Sequence, residues 1–151
     1  MFRTLTTAAT ALLLTAGAAM AGENHVVEML NRNKDTKESM VFKPAVLKIA
    51  PGDTVTFKPT NKGHNAELID GLMPEGAEAF KGGINKEITV TFDTEGVYGY
   101  KCAPHFATGM IGFIQVGDST DGMEAIEGAR FPGRSGKRRD EYLATLNDLS
   151  S

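Results

Sequence analysis

The sequence is poor in several residue types, and each shortage excludes a kind of protein. Its 151 residues include one cysteine, three histidines and no tryptophan. One cysteine cannot form an intramolecular disulfide, a four-cysteine zinc site or a cysteine-ligated iron–sulfur cluster. The net charge of −3 argues against nucleic-acid binding, which usually needs a strongly basic chain. The length allows one compact domain, and 41% hydrophobic and 23% charged residues are ordinary for a folded chain.

Residues 1–21 have the pattern of a secretory signal. Arg3 gives a positive start, an apolar stretch is centred on residues 12–14, and small residues at Ala19 and Ala21 form a cleavage site. We predict cleavage after Ala21, with residues 22–151 forming an exported, soluble protein. The alternative is an uncleaved membrane anchor, but the apolar run is shorter than the roughly 20 residues that span a bilayer. In an exported chain, an unpaired cysteine implies a protected core position, an intermolecular bond or a metal ligand.

Short β segments separated by turns follow from His25 to Val116. Pro51-Gly52-Asp53 is a turn sequence, since proline presets φ and glycine accepts a positive φ. Alternating segments of this length predict an antiparallel sandwich or barrel, and Gly71 to Gly83 predicts an irregular excursion with a short helical turn. The predicted strands are 26–30, 46–49, 54–57, 87–92, 97–100 and 111–116.

The pattern changes after Gly117. Residues 121–128 and 137–149 lose the β alternation, and Tyr142, Leu143, Leu146 and Leu149 recur at helical spacing. We expect two helices packed on the sandwich by this apolar stripe. The predicted organisation is therefore a β-sandwich over 22–117 with a helical extension over 118–151.

The segment from Cys102 to Met110 carries the strongest chemical signal. It places a thiol, an imidazole and a thioether at the spacing Cys-x2-His-x4-Met between two predicted strands, and a second imidazole, His64, lies upstream in another strand or strand end. Two imidazoles and one thiolate with a weak axial thioether form the type 1 copper arrangement. Each residue also has an ordinary alternative: a buried apolar cysteine, a structural or exposed histidine, and a core methionine. The Cys-x2-His-x4-Met loop together with a second histidine after a turn favours copper.

Several motifs of the chain resemble the cupredoxins, and most closely the pseudoazurins. The resemblance covers most of residues 22–151 and includes the C-terminal helices. It implies an eight-stranded Greek-key sandwich and one copper ion bound by His64, Cys102, His105 and Met110. It also implies a periplasmic one-electron carrier. The motifs are Met29-Leu30-Asn31, Met40 to Pro44, Pro51 to Val55, Lys62 to Asn65, Met73 to Ala77, Lys101 to His105 and Val116-Gly117-Asp118.

The sequence departs from the family pattern at three places. Ala103 stands where serine or threonine is common, and Ala107-Thr108 replaces a Gly-Met or Ala-Met pair. The loop from Asn31 to Ser39 is slightly longer than usual. The first two changes keep the four expected ligands but affect the reduction potential. The third affects the surface where a partner protein would dock.

Three residues are expected to support the ligands. Asn65 is suited to join the two ligand-bearing loops by hydrogen bonds, with a simple turn-former as the alternative. Pro104 removes a backbone N–H and stiffens its loop. The resemblance places Met40 near the exposed ligand ring.

The resemblance also implies that His105 is exposed through an apolar patch where electrons leave. We expect Met40, Met73, Pro74, Pro104 and Phe106 to form that patch. Nearby cations would steer an acidic partner, although each is also ordinary solvated surface when taken alone. The docking cations are Arg32, Lys62, Lys81 and Lys101, with Lys34 and Lys37 in neighbouring loops.

Other functions explain fewer of these residues. A copper enzyme needs a second copper centre, but Ala103 rather than histidine follows Cys102, and His25 is the one spare histidine. A cysteine hydrolase leaves His64 and Met110 without a role. A copper chaperone would favour exposed, methionine-rich sites, whereas the methionines here are scattered.

The resemblance implies transient redox partners for a monomeric protein. They are a copper nitrite reductase or related periplasmic reductase as acceptor, and a c-type cytochrome as donor. Accepting electrons from a methylotroph-type dehydrogenase is the alternative. No nucleic-acid or membrane partner is expected.

Overall fold

Two four-stranded sheets pack face to face and carry two helices at the C-terminal end of the chain. The computed structural model describes residues 22–151, so the predicted signal segment lies outside the described residues. One sheet has the order β2-β1-β4-β6, and the other has the order β3-β8-β7-β5. The elements are β1 (Asn24–Arg32), β2 (Ser39–Lys43), β3 (Val46–Ile49), β4 (Asp53–Lys58), β5 (Glu67–Leu68), β6 (Ile88–Phe92), β7 (Gly96–Lys101), β8 (Ile111–Val116), α1 (Met123–Gly128) and α2 (Ser135–Ser150).

The predicted all-β sandwich with two C-terminal helices is confirmed, with differences in detail. Strands β2 and β5 were not predicted, because β2 follows a polar loop and β5 has two residues. The pairs β1–β4 and β3–β8 are parallel, unlike the antiparallel pairing that the pattern predicted. Turns, without a helix, occupy residues 71–83. In α2, Leu146 is fully buried but Leu149 is half exposed.

The core has two layers. One cluster fills the space between the sheets and includes both Cys102 and Met110. The other lies between the second sheet and the helices, and it includes Phe113, Ile126 and Leu146. The candidate ligand loop therefore begins and ends inside the main core. No helix among residues 22–151 is long and apolar enough to cross a membrane.

The β7–β8 hairpin sets the position of that loop. The two strands pair from Gly96↔Val116 to Lys101↔Ile111, so residues 102–110 form the connection at one end of the sandwich. The backbone N–H of Cys102 donates to the carbonyl of Met110 at 3.0 Å and closes the base of the loop.

Tyr100 places a polar atom in this core without a partner. Its ring packs edge-on against Phe42 and Phe57, with centroid distances of 4.8 and 5.0 Å. Among residues 22–151 its hydroxyl is the one buried side-chain polar atom without a hydrogen bond. Tyr98 is different, because its hydroxyl donates to the carbonyl of Thr94 at 2.8 Å.

We expect Tyr100→Phe to raise the free energy of unfolding by about 1 kcal/mol, since it removes an unsatisfied buried hydroxyl and keeps the ring. Tyr98→Phe is the matched control, and it should lower the free energy of unfolding by about 0.5–1.5 kcal/mol. Urea unfolding of the two variants tests this. A loss of stability in Tyr100→Phe equal to that of Tyr98→Phe would show that the Tyr100 hydroxyl has a partner.

Candidate metal centre

Three metal-binding side chains meet at the end of the sandwich. His64 lies in the loop between β4 and β5, outside the strand or strand end that the sequence predicted, whereas Cys102 and His105 come from the β7–β8 loop. His64 Nδ1 lies 3.1 Å from His105 Nδ1, and Cys102 Sγ lies 3.7 Å and 3.5 Å from these two nitrogens. Atoms at these separations can share one ion at bond lengths of about 2.0–2.3 Å, the range for nitrogen and sulfur ligands.

The tautomer of His64 leaves the lone pair of Nδ1 available for a metal ion. Its Nε2 lies 2.8 Å from Asn31 Oδ1, and a carboxamide oxygen only accepts hydrogen bonds, so Nε2 carries the hydrogen. In a neutral imidazole the lone pair is then on Nδ1, which faces Cys102 and His105. Burial, and secondarily the neighbouring His105, lowers the pKa of His64 and favours this neutral form.

The Cys102 thiol is buried and protected. Burial raises its pKa, against the opposing effect of the backbone N–H groups of Asn65 and His105. A raised thiol pKa and complete burial are unsuited to a hydrolytic nucleophile, which needs an accessible thiolate. Burial is compatible with a metal ligand, because a bound cation displaces the thiol proton and compensates the thiolate charge.

Met110 is the last residue of the ligand loop. It is fully buried and directly precedes β8. Its N–H donates to the carbonyl of His105 at 3.1 Å, and its own carbonyl accepts from Cys102. The backbone of the predicted axial residue is therefore bonded to two of the other predicted ligands.

Asn65 joins the segments that carry His64 and Cys102 by hydrogen bonds of its side chain. Its Oδ1 accepts from the N–H of Ala103 at 2.8 Å, and its Nδ2 donates to the carbonyl of Gly82 at 3.1 Å and to Glu67 Oε2 at 3.0 Å. The side chain is buried, and its bonds to Ala103 and Gly82 cross to other segments of the chain. It therefore fixes His64 relative to Cys102.

Two supporting residues were missed by the sequence analysis. Asn31, at the end of β1, orients His64 from 33 positions away. Glu67 fixes the amide of Asn65 and lies 3.6 Å from Lys101 Nζ, with 12% of its side chain exposed. The pattern Asn65-x-Glu67 is the local signal that points to Glu67, whereas the partner of Asn31 depends on strand order and has no local signal.

The outer part of the loop is a short 3-10 turn over Ala103–His105. Pro104 lies in its first positions, where a missing N–H leaves no hydrogen bond unmade. Thr108, one of the departures from the family pattern, donates through Oγ1 to the carbonyl of His105 at 2.8 Å. The N–H of His105 donates to the carbonyl of Cys102 at 3.1 Å, so both backbone polar groups of His105 are hydrogen-bonded within the loop.

The predicted docking cations all lie near this end of the sandwich, but they differ in exposure and in pairing with acidic groups. Lys62 and Lys81 are exposed beside the His64 segment, and Arg32 is exposed next to Asn31. Lys101 is paired with Glu67 and lies over the Phe106 ring at 5.0 Å, with 24% of its side chain exposed. Its charge is therefore partly neutralised within the protein.

The predicted apolar patch needs one correction. Pro104 is exposed, and Met40 and Phe106 are half-buried. Pro74 is buried against Gly96, at the start of β7, whereas the ligand loop follows the end of that strand. The segment that carries Met73 and Pro74 runs back along β7, so these two residues do not surround His105.

The side chains fit one soft metal ion. Two imidazole nitrogens and one sulfur lie within 4.8 Å of one another, and the buried thioether residue Met110 ends the same loop. Thiolate and thioether ligands with imidazoles favour copper, whereas no carboxylate belongs to the cluster as a hard cation would require.

Comparison with known proteins gives the same assignment. Residues 27–117 match the model of the copper binding proteins, plastocyanin/azurin family. A pseudoazurin of Paracoccus pantotrophus is 42% identical over 97% of this chain and 100% of its own. A putative pseudoazurin of Rhizobium leguminosarum bv. viciae is 47% identical over 91% of this chain and 90% of its own. The solved structure of a pseudoazurin from Sinorhizobium superimposes with a TM-score of 0.79 at 49% identity, covering 82% of this chain and 96% of the other.

The chain therefore belongs to the plastocyanin/azurin family of copper-binding proteins. Within that family, relatives matched over almost their whole length place it among the pseudoazurins. It is a copper electron carrier and not an enzyme. The expected cofactor, copper, is confirmed.

We expect Glu67→Gln to raise the reduction potential of the copper site. The carboxylate of Glu67 acts on Cys102 through space, and its negative charge favours the more positive, oxidised site. Glutamine keeps an oxygen that accepts from Asn65, so the charge changes with little change of shape. Cyclic voltammetry measures the effect, with Glu95→Gln at the opposite end of β7 as control. An unchanged or lowered potential in Glu67→Gln would contradict it.

Proposed function

We propose that His64 Nδ1, Cys102 Sγ and His105 Nδ1 bind the copper ion, with the Met110 thioether as a weak fourth ligand, and that the protein carries single electrons in the periplasm. The convergence of the three donor atoms within 4.8 Å of one another supports this ligand set. The secretory pattern of residues 1–21 supports export. Copper supplies the one-electron change between Cu(I) and Cu(II).

The protein residues keep the ligand positions constant. His64 is held by Asn31, the segments are joined by Asn65, and the loop is closed between Cys102 and Met110. Thiolate and thioether favour Cu(I), whereas imidazole serves both oxidation states. A donor set that does not move therefore allows an electron to enter or leave with little rearrangement.

His105 is the proposed path for electrons. It is half-buried, whereas His64, Cys102 and Met110 are completely buried. Its neighbours Ala103, Pro104, Ala107 and Thr108 are exposed, so a partner can approach this ring more closely than any other ligand. This difference in exposure is the observation that carries the assignment.

The proposed partners are redox proteins that meet this surface transiently. The acceptor is a copper nitrite reductase or a related periplasmic reductase, and the donor is a c-type cytochrome. Exposed cations at Arg32, Lys62 and Lys81 surround the His105 end and would steer a partner with an acidic docking face. A monomer suits such short encounters.

Cu(II) added to the metal-free protein should give an intense blue thiolate-to-copper absorption that saturates at about one equivalent and disappears on reduction. Cys102→Ser should abolish the colour, and His64→Gln should weaken or abolish it. His25→Gln is the matched control, because His25 bonds Asp53 away from the site and should leave the colour unchanged. A pale adduct that binds several equivalents would contradict the proposal.

We expect Lys62→Gln and Lys81→Gln to slow electron transfer to a copper nitrite reductase by roughly 2- to 10-fold at low ionic strength, and little at high ionic strength. Lys48→Gln is the control, since Lys48 pairs with Asp118 at the opposite end of the sandwich. Stopped-flow rates at several salt concentrations measure the effect. Equal rates for all variants at low salt would show that the docking surface lies elsewhere.

A further inference from the structure

The N-terminal end of α2 is bonded to the ligand loop at three carbonyl groups. Ser135 Oγ donates to the carbonyl of Phe106, and the N–H of Arg134 donates to the carbonyl of Ala107 at 2.9 Å. Arg138 Nη1 donates to the carbonyl of Gly109 at 2.7 Å. The outer half of the loop is therefore attached to the helical extension as well as to the hairpin from which it emerges.

Arg138 also reaches a segment of the other sheet. Its Nη1 donates to the carbonyl of Met40 at 2.7 Å, and its Nη2 donates to the carbonyl of Ser39 at 2.8 Å. The residue is 8% exposed, and its Nε lies 3.7 Å from Glu38 Oε1. One buried guanidinium group thus joins α2, the ligand loop and the start of β2.

The two segments that it joins have unusual backbones. Met40 has φ of 52°, a left-handed conformation that is unfavourable for a residue with a Cβ and persists when surrounding contacts hold it. Gly109 has φ of 99°, and a Cβ there would lie 2.9 Å from Arg138 Cδ. The glycine therefore makes room for the arginine, and the arginine bonds both segments.

Both segments lie next to residues of the proposed copper site. Gly109 directly precedes Met110, and Met40 packs against the core cluster that includes Cys102 and Met110. Arginine is suited to this position because its rigid fork of N–H groups can bond several carbonyls at once, whereas an ammonium group is a single point of charge.

We propose that Arg138 is a positioning residue for the copper site, which fixes the Gly109–Met110 end of the loop and the Met40 segment against α2. The helical extension then contributes to the ligand geometry and does more than cover the second sheet. The link to copper rests on the proposed ligand set. Because an axial ligand tunes the reduction potential, loosening Met110 should change the spectrum and the potential.

The test compares Arg138→Met, Arg138→Lys and Arg139→Met. Arg139 lies in the same helix and also donates to a carbonyl, that of Ala129, but it has no hydrogen bond to the ligand loop. Amide hydrogen exchange of the metal-free full-length protein measures the loop without any reference to copper. The absorption spectrum and reduction potential of the copper-loaded protein measure the effect on the site.

We expect Arg138→Met to speed exchange of the Gly109 and Met110 amides about tenfold or more, with the strand amides of β4 nearly unchanged. The copper-loaded variant should show an altered thiolate-to-copper spectrum and a shifted potential. Arg138→Lys should fall between Arg138→Met and the wild type, and it decides the question if Arg138→Met does not fold. Arg139→Met should match the wild type at the loop.

Two results would overturn the inference. One is equal acceleration of all amides with an unchanged copper spectrum, which would make Arg138 a general stabilising residue. The other is an unchanged loop in both Arg138 variants. If the wild-type protein bound no copper at Cys102, the proposed function would fail, but exchange in the metal-free protein would still test the attachment of the loop to α2.

Discussion

The site depends on how tightly two distant segments of the chain are held against each other. His64 and Cys102 are 38 positions apart, and Asn65 joins their segments by accepting from the N–H of Ala103. Because Asn65 is buried, this bond is shielded from competition by water, and Glu67 and Gly82 bond the other end of its amide. Without that connection, the loop that carries His64 would be held to the β7–β8 hairpin chiefly through the two-residue pairing of β5 with β7.

Burial and hydrogen bonding then act together on the ligand atoms. The main core encloses Cys102 and Met110, so their sulfur atoms are kept from oxidants and bulk water. Asn31 fixes the tautomer of His64, and burial favours its neutral form. The half-buried His105 is the exception. This asymmetry gives the centre one accessible side while the other three ligands stay protected.

The ligand loop could be predicted from the sequence because its three metal-binding residue types lie close together in the chain. Contacts between distant segments were harder to predict. Cys102, His105 and Met110 lie within nine residues between alternating strands, so their proximity follows from one hairpin connection. His64 was included as a second imidazole from a distant segment, and the resemblance to the cupredoxins added to that inference. The role of Asn31 depends on the neighbours of β1, and that of Arg138 depends on where α2 crosses the loop; neither residue type nor spacing indicates such contacts. Met73 and Pro74 were misplaced because the path of the loop after β5 is set by packing against β7.

The central claim is that the protein holds its copper ligands in one arrangement for both oxidation states. X-ray absorption spectroscopy of the copper-loaded protein, before and after reduction, measures this directly. We predict one short sulfur and two nitrogen ligands in each state, with nearly equal distances in Cu(II) and Cu(I). Loss of a nitrogen ligand on reduction at neutral pH, or a coordination shell without the short sulfur, would contradict this account.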